Sequence, residues 1–140
     1  MFAVRRDDLQ RVAQAKINDA QLLLAHRRAS NAYYLAGYAV EIGLKACIAK
    51  QISAETIPEL NFVRSIYDHD LQKLIRVAGL SAELKQAQDA NKDFAVNWAI
   101  VCEWKPDDRY GLKDLGTAQV MIAAVMDETG GVLPWIRERW

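Results

Sequence analysis

The stretch from Ser30 to Lys50 limits most severely what this chain can fold into. It contains no proline and is far longer than an ordinary strand, and Ser30 or Asn31 stands where a helix N-cap belongs, so it reads as a helix. Its apolar residues run almost all the way round, which demands packing neighbours on several sides. Gly37 and Gly43 are poor helix formers, but their missing side chains let other elements approach closely. Glu41 and Lys45 interrupt the run one turn apart, with the acid first, the order that favours pairing. Tyr34 and Tyr38 continue the same stripe. Burying either charge alone is costly, so each requires a partner. Lys45 answers part of Glu41, and Arg109 or the Tyr110 hydroxyl, arriving from a later loop, is expected to take the rest.

The remaining pattern is helical as well. From Asp7 to about Arg28, Leu9, Val12, Ala13, Ile17, Ala20, Leu23 and Leu24 recur at spacings of three and four. Asp7-Asp8 open that helix and Arg27-Arg28 are expected to close it, as the helix dipole prefers. His26 reads there as a surface or capping residue. So short a linker before the Ser30–Lys50 helix forces an antiparallel hairpin. A mixed connection from Ser53 to Tyr67 follows, and Asp68-His69-Asp70 then open a short helix with Leu71, Leu74, Ile75 and Ala78 on one face and Gly79 as its stop. Ser81 is the expected cap of the next helix, which runs to Cys102 with a break permitted at Ala90-Asn91. Pro106 makes Trp104–Gly111 a loop. Asp114 caps a last helix with Leu115, Ala118, Met121, Ile122, Val125 and Met126 inward, which Gly130-Gly131 and Pro134 break or kink before Trp135 and Ile136 pack back. No alternating strand pattern and no repeat is present. The expected fold is all-α, an up-and-down bundle of four to five helices with Leu35, Ala39, Ile42, Ala46 and Trp98 in the core.

Charge narrows the function classes. The 18 basic and 18 acidic residues cancel to a formal net charge of +0, so there is no bulk electrostatic case for DNA or a membrane surface. The pairs Arg5-Arg6, Arg27-Arg28 and Arg137/Arg139 read as solvated helix ends. The opening run Met1-Phe2-Ala3-Val4-Arg5-Arg6 turns charged too early for a secretory signal, and Glu41 and Lys45 interrupt the longest apolar run, so a soluble, cytoplasmic protein is expected. Cys47 and Cys102 lie far apart in apolar surroundings and read as buried free thiols. For so short a chain, its many large apolar residues point to self-association, with Trp135, Ile136 and Trp140 as contributors.

Standard catalytic signatures are absent, and two histidines are too few for a metal phosphohydrolase, so no metal and no cofactor is expected. Arg64 and His69, five apart, form a pair able to cleave RNA through its 2′-hydroxyl, the imidazole moving the proton and the guanidinium steadying the phosphorane. His69 at a helix start also fits plain backbone capping. The loop Trp104-Lys105-Pro106-Asp107-Asp108-Arg109-Tyr110-Gly111 offers aromatic faces and two cations to a phosphate-bearing ligand. Alternatively it is a structural corner, with Trp104 packed and Arg109 paired to Asp107, Asp108 or Glu41.

Three motifs in sequence resemble the HEPN family, the helical domain named for nucleotide binding in higher eukaryotes and prokaryotes. They are Tyr34-x3-Tyr38-x2-Glu41-x3-Lys45, His69-Asp70-Leu71-x2-Leu74, and Trp104-x4-Arg109-Tyr110. The resemblance implies a single HEPN-like domain over residues 1–140, commonly a homodimer. Members include RNase toxins, defence proteins, partners of a minimal nucleotidyltransferase, and modules that bind nucleotides without obvious catalysis. RNase members carry an Arg followed four to six residues later by His at the opening of the last core helix. Here Arg109 is present but Leu112–Thr117 holds no His, and Arg64/His69 has the spacing in a different element. The expectation is a module that binds a nucleotide, RNA or a partner protein through Glu41, Lys45, Trp104, Arg109 and Tyr110. The alternative is a ribonuclease toxin or defence protein using Arg109 with His69, or Arg64 with His69.

Overall fold

Two long antiparallel helices, α1 (Arg6–Ala25) and α2 (Ala29–Ala49), build the frame on which the other elements pack in this computed structural model, which describes residues 4–140. The first three residues, on which part of the no-secretory-signal reading rests, lie outside the described range. Short helices α3 (Leu60–Ile66), α4 (Leu71–Val77), α5 (Ser81–Ala90) and α6 (Lys92–Val101) follow, then a 3-10 turn at Pro106–Tyr110, and finally α7 (Leu115–Met126) and α8 (Val132–Arg137). The described residues contain no strand, and the all-α expectation holds. More helices form than the expected four to five. The 53–67 connection folds α3, and α5 and α6 are separate because Asn91 caps α6, its side chain accepting from Asp93 and Phe94 N–H at 3.0 and 3.2 Å. Among the described residues no helix is long and apolar enough to cross a membrane.

α2 is the hub, touching α1, α4, α7, α8 and the 3-10 turn. Ala36, Ala39, Val40, Leu44, Ala46 and Ile48 have no exposed surface at all, and Ile42 and Trp98 are buried. Full burial of a Leu or Ile of this kind contributes about 1.5–3 kcal/mol. Leu35 is only partly buried, packed against the core rather than within it. Along α1, Ala13, Ile17 and Ala20 face inward as the periodicity predicts, whereas Val12 turns out to solvent.

Several termini differ from the sequence reading. α1 stops at Ala25 rather than Arg28, and Arg27 takes a left-handed conformation (φ 61°) so that Arg27 and Arg28 N–H reach back to Leu24 and Leu23 carbonyls. That is a Schellman stop with arginine where glycine is usual. α2 begins at Ala29, so Ser30 does not cap it; the Ser30 hydroxyl accepts from Lys113 N–H at 2.8 Å instead, tying the hairpin to the segment before α7. Leu80, not Ser81, precedes α5, because Gly79 (φ +73°) and Leu80 close α4 with their own N–H groups on Arg76 and Ile75 carbonyls. Asp70 and Asp114 cap α4 and α7 as expected. Pro134 lies within the first turn of α8, where its missing N–H costs nothing.

Two of the three residues expected to serve self-association pack within the chain, and Trp140 is half-buried. Trp135 and Ile136 are buried, and α8 lies so close to α2 that a Cβ on Gly43 would stand 3.1 Å from Ile136 Cγ2 and 3.7 Å from the Trp140 ring. Cys47 is buried and Cys102 half-buried, both as free thiols.

Candidate functional site

The chain leaving α6 runs straight back onto α2, and the reason is Gly37. Trp104 fills the space a side chain there would occupy: a Cβ on Gly37 would lie 2.2 Å from two indole carbons. The indole N–H donates to the Tyr34 carbonyl at 3.1 Å, and the rings of Tyr34 and Tyr38 flank it with centroids at 5.9 and 6.2 Å. Trp104 is 4% exposed, so it presents no free face for stacking. Expected among the ligand-binding residues, it is instead the anchor that fixes the loop beyond it.

That loop is held at both ends. Lys105 N–H donates to Asp108 Oδ2 at 2.8 Å, and Asp108 Oδ1 pairs with Lys113 Nζ at 3.4 Å. Lys113 Nζ also lies 4.8 Å from the centre of the Tyr33 ring, and its backbone is bonded to Ser30. Between these ties the 3-10 turn pushes Arg109 and Tyr110 outward, Tyr110 being 78% exposed. The Arg109 guanidinium stacks on Tyr110, 4.7 Å from the ring centre. Contact with the Tyr110 side chain, then with Tyr34, holds its pKa above the ordinary arginine value. Among the described residues no carboxylate pairs with Arg109, although the sequence offered it Asp107, Asp108 and Glu41.

Glu41 lies one turn beyond Gly37 on α2 and is 2% exposed. Its expected partners, Arg109 and the Tyr110 hydroxyl, do not reach it. The turn carrying them packs beside Tyr34, about two helical turns before Glu41 on α2, and the side of α2 that Glu41 faces is covered by the start of α4. There His69 Nδ1 stands 2.7 Å from Glu41 Oε1, while Lys45 Nζ is 3.4 Å from Oε2. Burial is the main cause that raises the Tyr38 pKa, and the Glu41 charge adds to it.

The main chain around His69 is equally fixed. Asp68 Oδ1 accepts from His69 and Asp70 N–H at 2.7 and 2.8 Å, and Asp70 Oδ1 accepts from Lys73 N–H at 3.1 Å. Those backbone bonds hold the Asp68 carboxyl below its usual range, against the smaller effect of burial. The aspartates do cap, as the sequence suggested; the imidazole does not. With Nδ1 committed to a carboxylate, its remaining function falls to Nε2 on a side chain that is 57% exposed.

A cleft of 610 Å³ opens between the start of α4 and the 3-10 turn. His69, Asp70 and Gln72 line one side, Lys105, Asp107 and Arg109 the other, with Trp104 and Cys102 at the base. The structure therefore brings His69 and Arg109, 40 positions apart in the chain, to one cleft. Arg64 is not among its lining residues; it is exposed on α3, and its five-residue spacing from His69 carries no shared site. Tyr110 is not a lining residue of the cleft either, and reaches it only through its stack with Arg109. Glu41 and Lys45 lie behind His69 rather than facing a ligand.

Sequence reasoning missed the Glu41–His69 bond and the contribution of Gln72 and Cys102. One signal for the first was available: a buried carboxylate needs a second donor, and His69 is one of only two histidines. Chemically, a carboxylate-oriented imidazole opposite an uncompensated guanidinium and a lysine suits a phosphate group and the proton transfers next to it. No family model matches the chain, and no curated protein or solved structure matches it.

Proposed function

We propose that this chain is an HEPN-like helical module that binds a phosphate-bearing ligand, RNA or a nucleotide, in the cleft between α4 and the 3-10 turn. The carrying observation is Arg109: a guanidinium without a carboxylate partner among the described residues, held on Tyr110 and lining the same cleft as His69 and Lys105. Arginine presents a planar fork of donors that matches phosphate oxygens, and exposed Tyr110 next to it offers a ring on which a base can stack. Binding measured by fluorescence anisotropy with labelled uridine nucleotides and oligouridylates tests this. Arg109→Ala is expected to weaken binding at least tenfold, as removal of one charge-assisted hydrogen bond to phosphate does. Unchanged affinity in Arg109→Ala would sink the reading.

A second reading, metal-free cleavage of RNA, is favoured by the Glu41–His69 bond. In it His69 Nε2 takes the proton of a 2′-hydroxyl, the 2′-oxygen bonds to phosphorus, and the P–O5′ bond breaks to leave a 2′,3′-cyclic phosphate. The departing 5′-oxygen takes its proton from solvent. Arg109 steadies the charged phosphorane, and Glu41 fixes the imidazole tautomer and its orientation. A pair of variants separates the two readings. If the module only binds, His69→Ala leaves an RNA substrate intact just as the wild type does. If it cleaves, cyclic-phosphate products form with the wild type, vanish in His69→Ala, and fall by about 10²–10⁴ in Glu41→Gln.

A further inference from the structure

A second depression adjoins the cleft. Gln72 and Cys102 also line a second groove, of 550 Å³, enclosed by α4, α5 and α6. Arg76, Ser81 and Gln88 edge that second groove, and Trp98 lies along it. The two depressions thus adjoin along α4, with Gln72 and Cys102 on the wall they share. Arg76 is exposed and, like Arg109, has no carboxylate partner among the described residues. Of the acidic residues lining the two depressions, Asp70 is turned to its own helix start, which leaves Asp107 beside Arg109 and no carboxylate among the residues lining the Arg76 depression. From Asp70 to Arg76 the helix rises about 9 Å. Arg109 and Lys105 line the first depression and Arg76 the second, so the cations are divided between the two.

We infer that the two adjoining depressions form a binding path for a single strand of nucleic acid, with Arg109 and Lys105 holding one phosphate and Arg76 a second phosphate further along the strand. This rests on the reading of the first cleft as a phosphate site and specifies its ligand as an oligonucleotide rather than a mononucleotide. The chain's zero net charge argues against a duplex, whose non-specific binding depends on a broad basic surface. Isolated cations in two adjoining depressions suit a flexible strand, whose bases are free to meet the Gln72 and Gln88 amides.

The experiment compares uridine monophosphate with a short oligouridylate series on the wild type, Arg109→Ala, Arg76→Ala and Arg76→Lys, each checked for an unchanged helical circular dichroism spectrum. The wild type is expected to bind the oligomers more tightly than the monomer. Arg109→Ala weakens both ligands. Arg76→Ala weakens only the oligomers, by roughly tenfold, and lowers the salt dependence of their binding by about 0.7 in log–log slope. Arg76→Lys restores most of the loss, because it restores the charge. An oligomer affinity untouched by Arg76→Ala, with Arg109→Ala still damaging, overturns the second subsite and leaves the first standing. Equal weakening of monomer and oligomer by Arg76→Ala overturns it too. Failure of every nucleotide and oligomer to bind the wild type overturns the phosphate reading itself.

Discussion

Replacing Gly37 by alanine sets two known effects against each other, and their sizes decide the sign. In an ordinary helix interior the change stabilises by about 1 kcal/mol, because glycine is the poorer helix former. Here the new methyl would stand 2.2 Å from two carbons of the Trp104 indole and 2.6 Å from a third. Carbon atoms pack comfortably at about 3.5–4.0 Å, so the ring must retreat by well over an ångström. It has no room to do so cheaply, flanked as it is by Tyr34 and Tyr38 and bonded to the Tyr34 carbonyl. Forced overpacking costs about 1–3 kcal/mol, and loss of the indole hydrogen bond adds about 1 kcal/mol. The net expectation is a loss of roughly 2 kcal/mol, a melting temperature lower by roughly 8 °C, and slack in the loop that carries Arg109. Urea unfolding followed by circular dichroism measures it, and a double-mutant cycle with Trp104→Ala isolates the cause. Once the indole is removed, Gly37→Ala should turn stabilising by about 1 kcal/mol. A Gly37→Ala variant as stable as the wild type, or the same loss in the Trp104→Ala background, would refute this account of the loop.

Arg27 occupies the left-handed position of the α1 stop at φ 61°, so Arg27→Gly should raise stability by up to about 1 kcal/mol, read from the urea midpoint. A loss would mean the arginine side chain contributes there in a way its exposure does not suggest. Burial raises the Cys47 thiol to about 11 from an ordinary 9.0, and Cys102 is raised to about 11 for the same reason. A group whose folded pKa is raised stabilises fully below the unfolded value, so stability should decline between pH 9 and 11, by at most ~2.7 kcal/mol for Cys47 and by less for half-buried Cys102, which solvent screens. Unfolding titrations across that window should show a shallower decline in Cys47→Ala, and an identical profile would count against the assignment.

How much was legible in the sequence depended on the range over which each interaction acts. Helix existence, the central position of α2, the caps at Asp70 and Asp114 and the stop at Gly79 follow from residues within a turn or two of one another. Periodicity and side-chain chemistry report such contacts directly. Even locally, competition from distant partners shifted the ends: Ser30 was a sound cap candidate until Lys113, 83 positions away, took its hydroxyl. The candidate site is the opposite case. That Glu41 would be buried and would need Lys45 and a further donor was readable from the apolar run around it. Which donor would come was not, because Arg109, Tyr110 and His69 all had the chemistry. The choice rested on which segment packs over that side of α2, and that is set by Trp104 filling the gap at Gly37 and by α4 closing over Glu41. Likewise the sequence marked Trp104, Arg109 and Tyr110 as one polar-aromatic loop. Only tertiary packing divided them into a buried anchor and two outward residues, since a tryptophan is buried wherever a cavity of its shape is left open, and a glycine on a distant helix made that cavity.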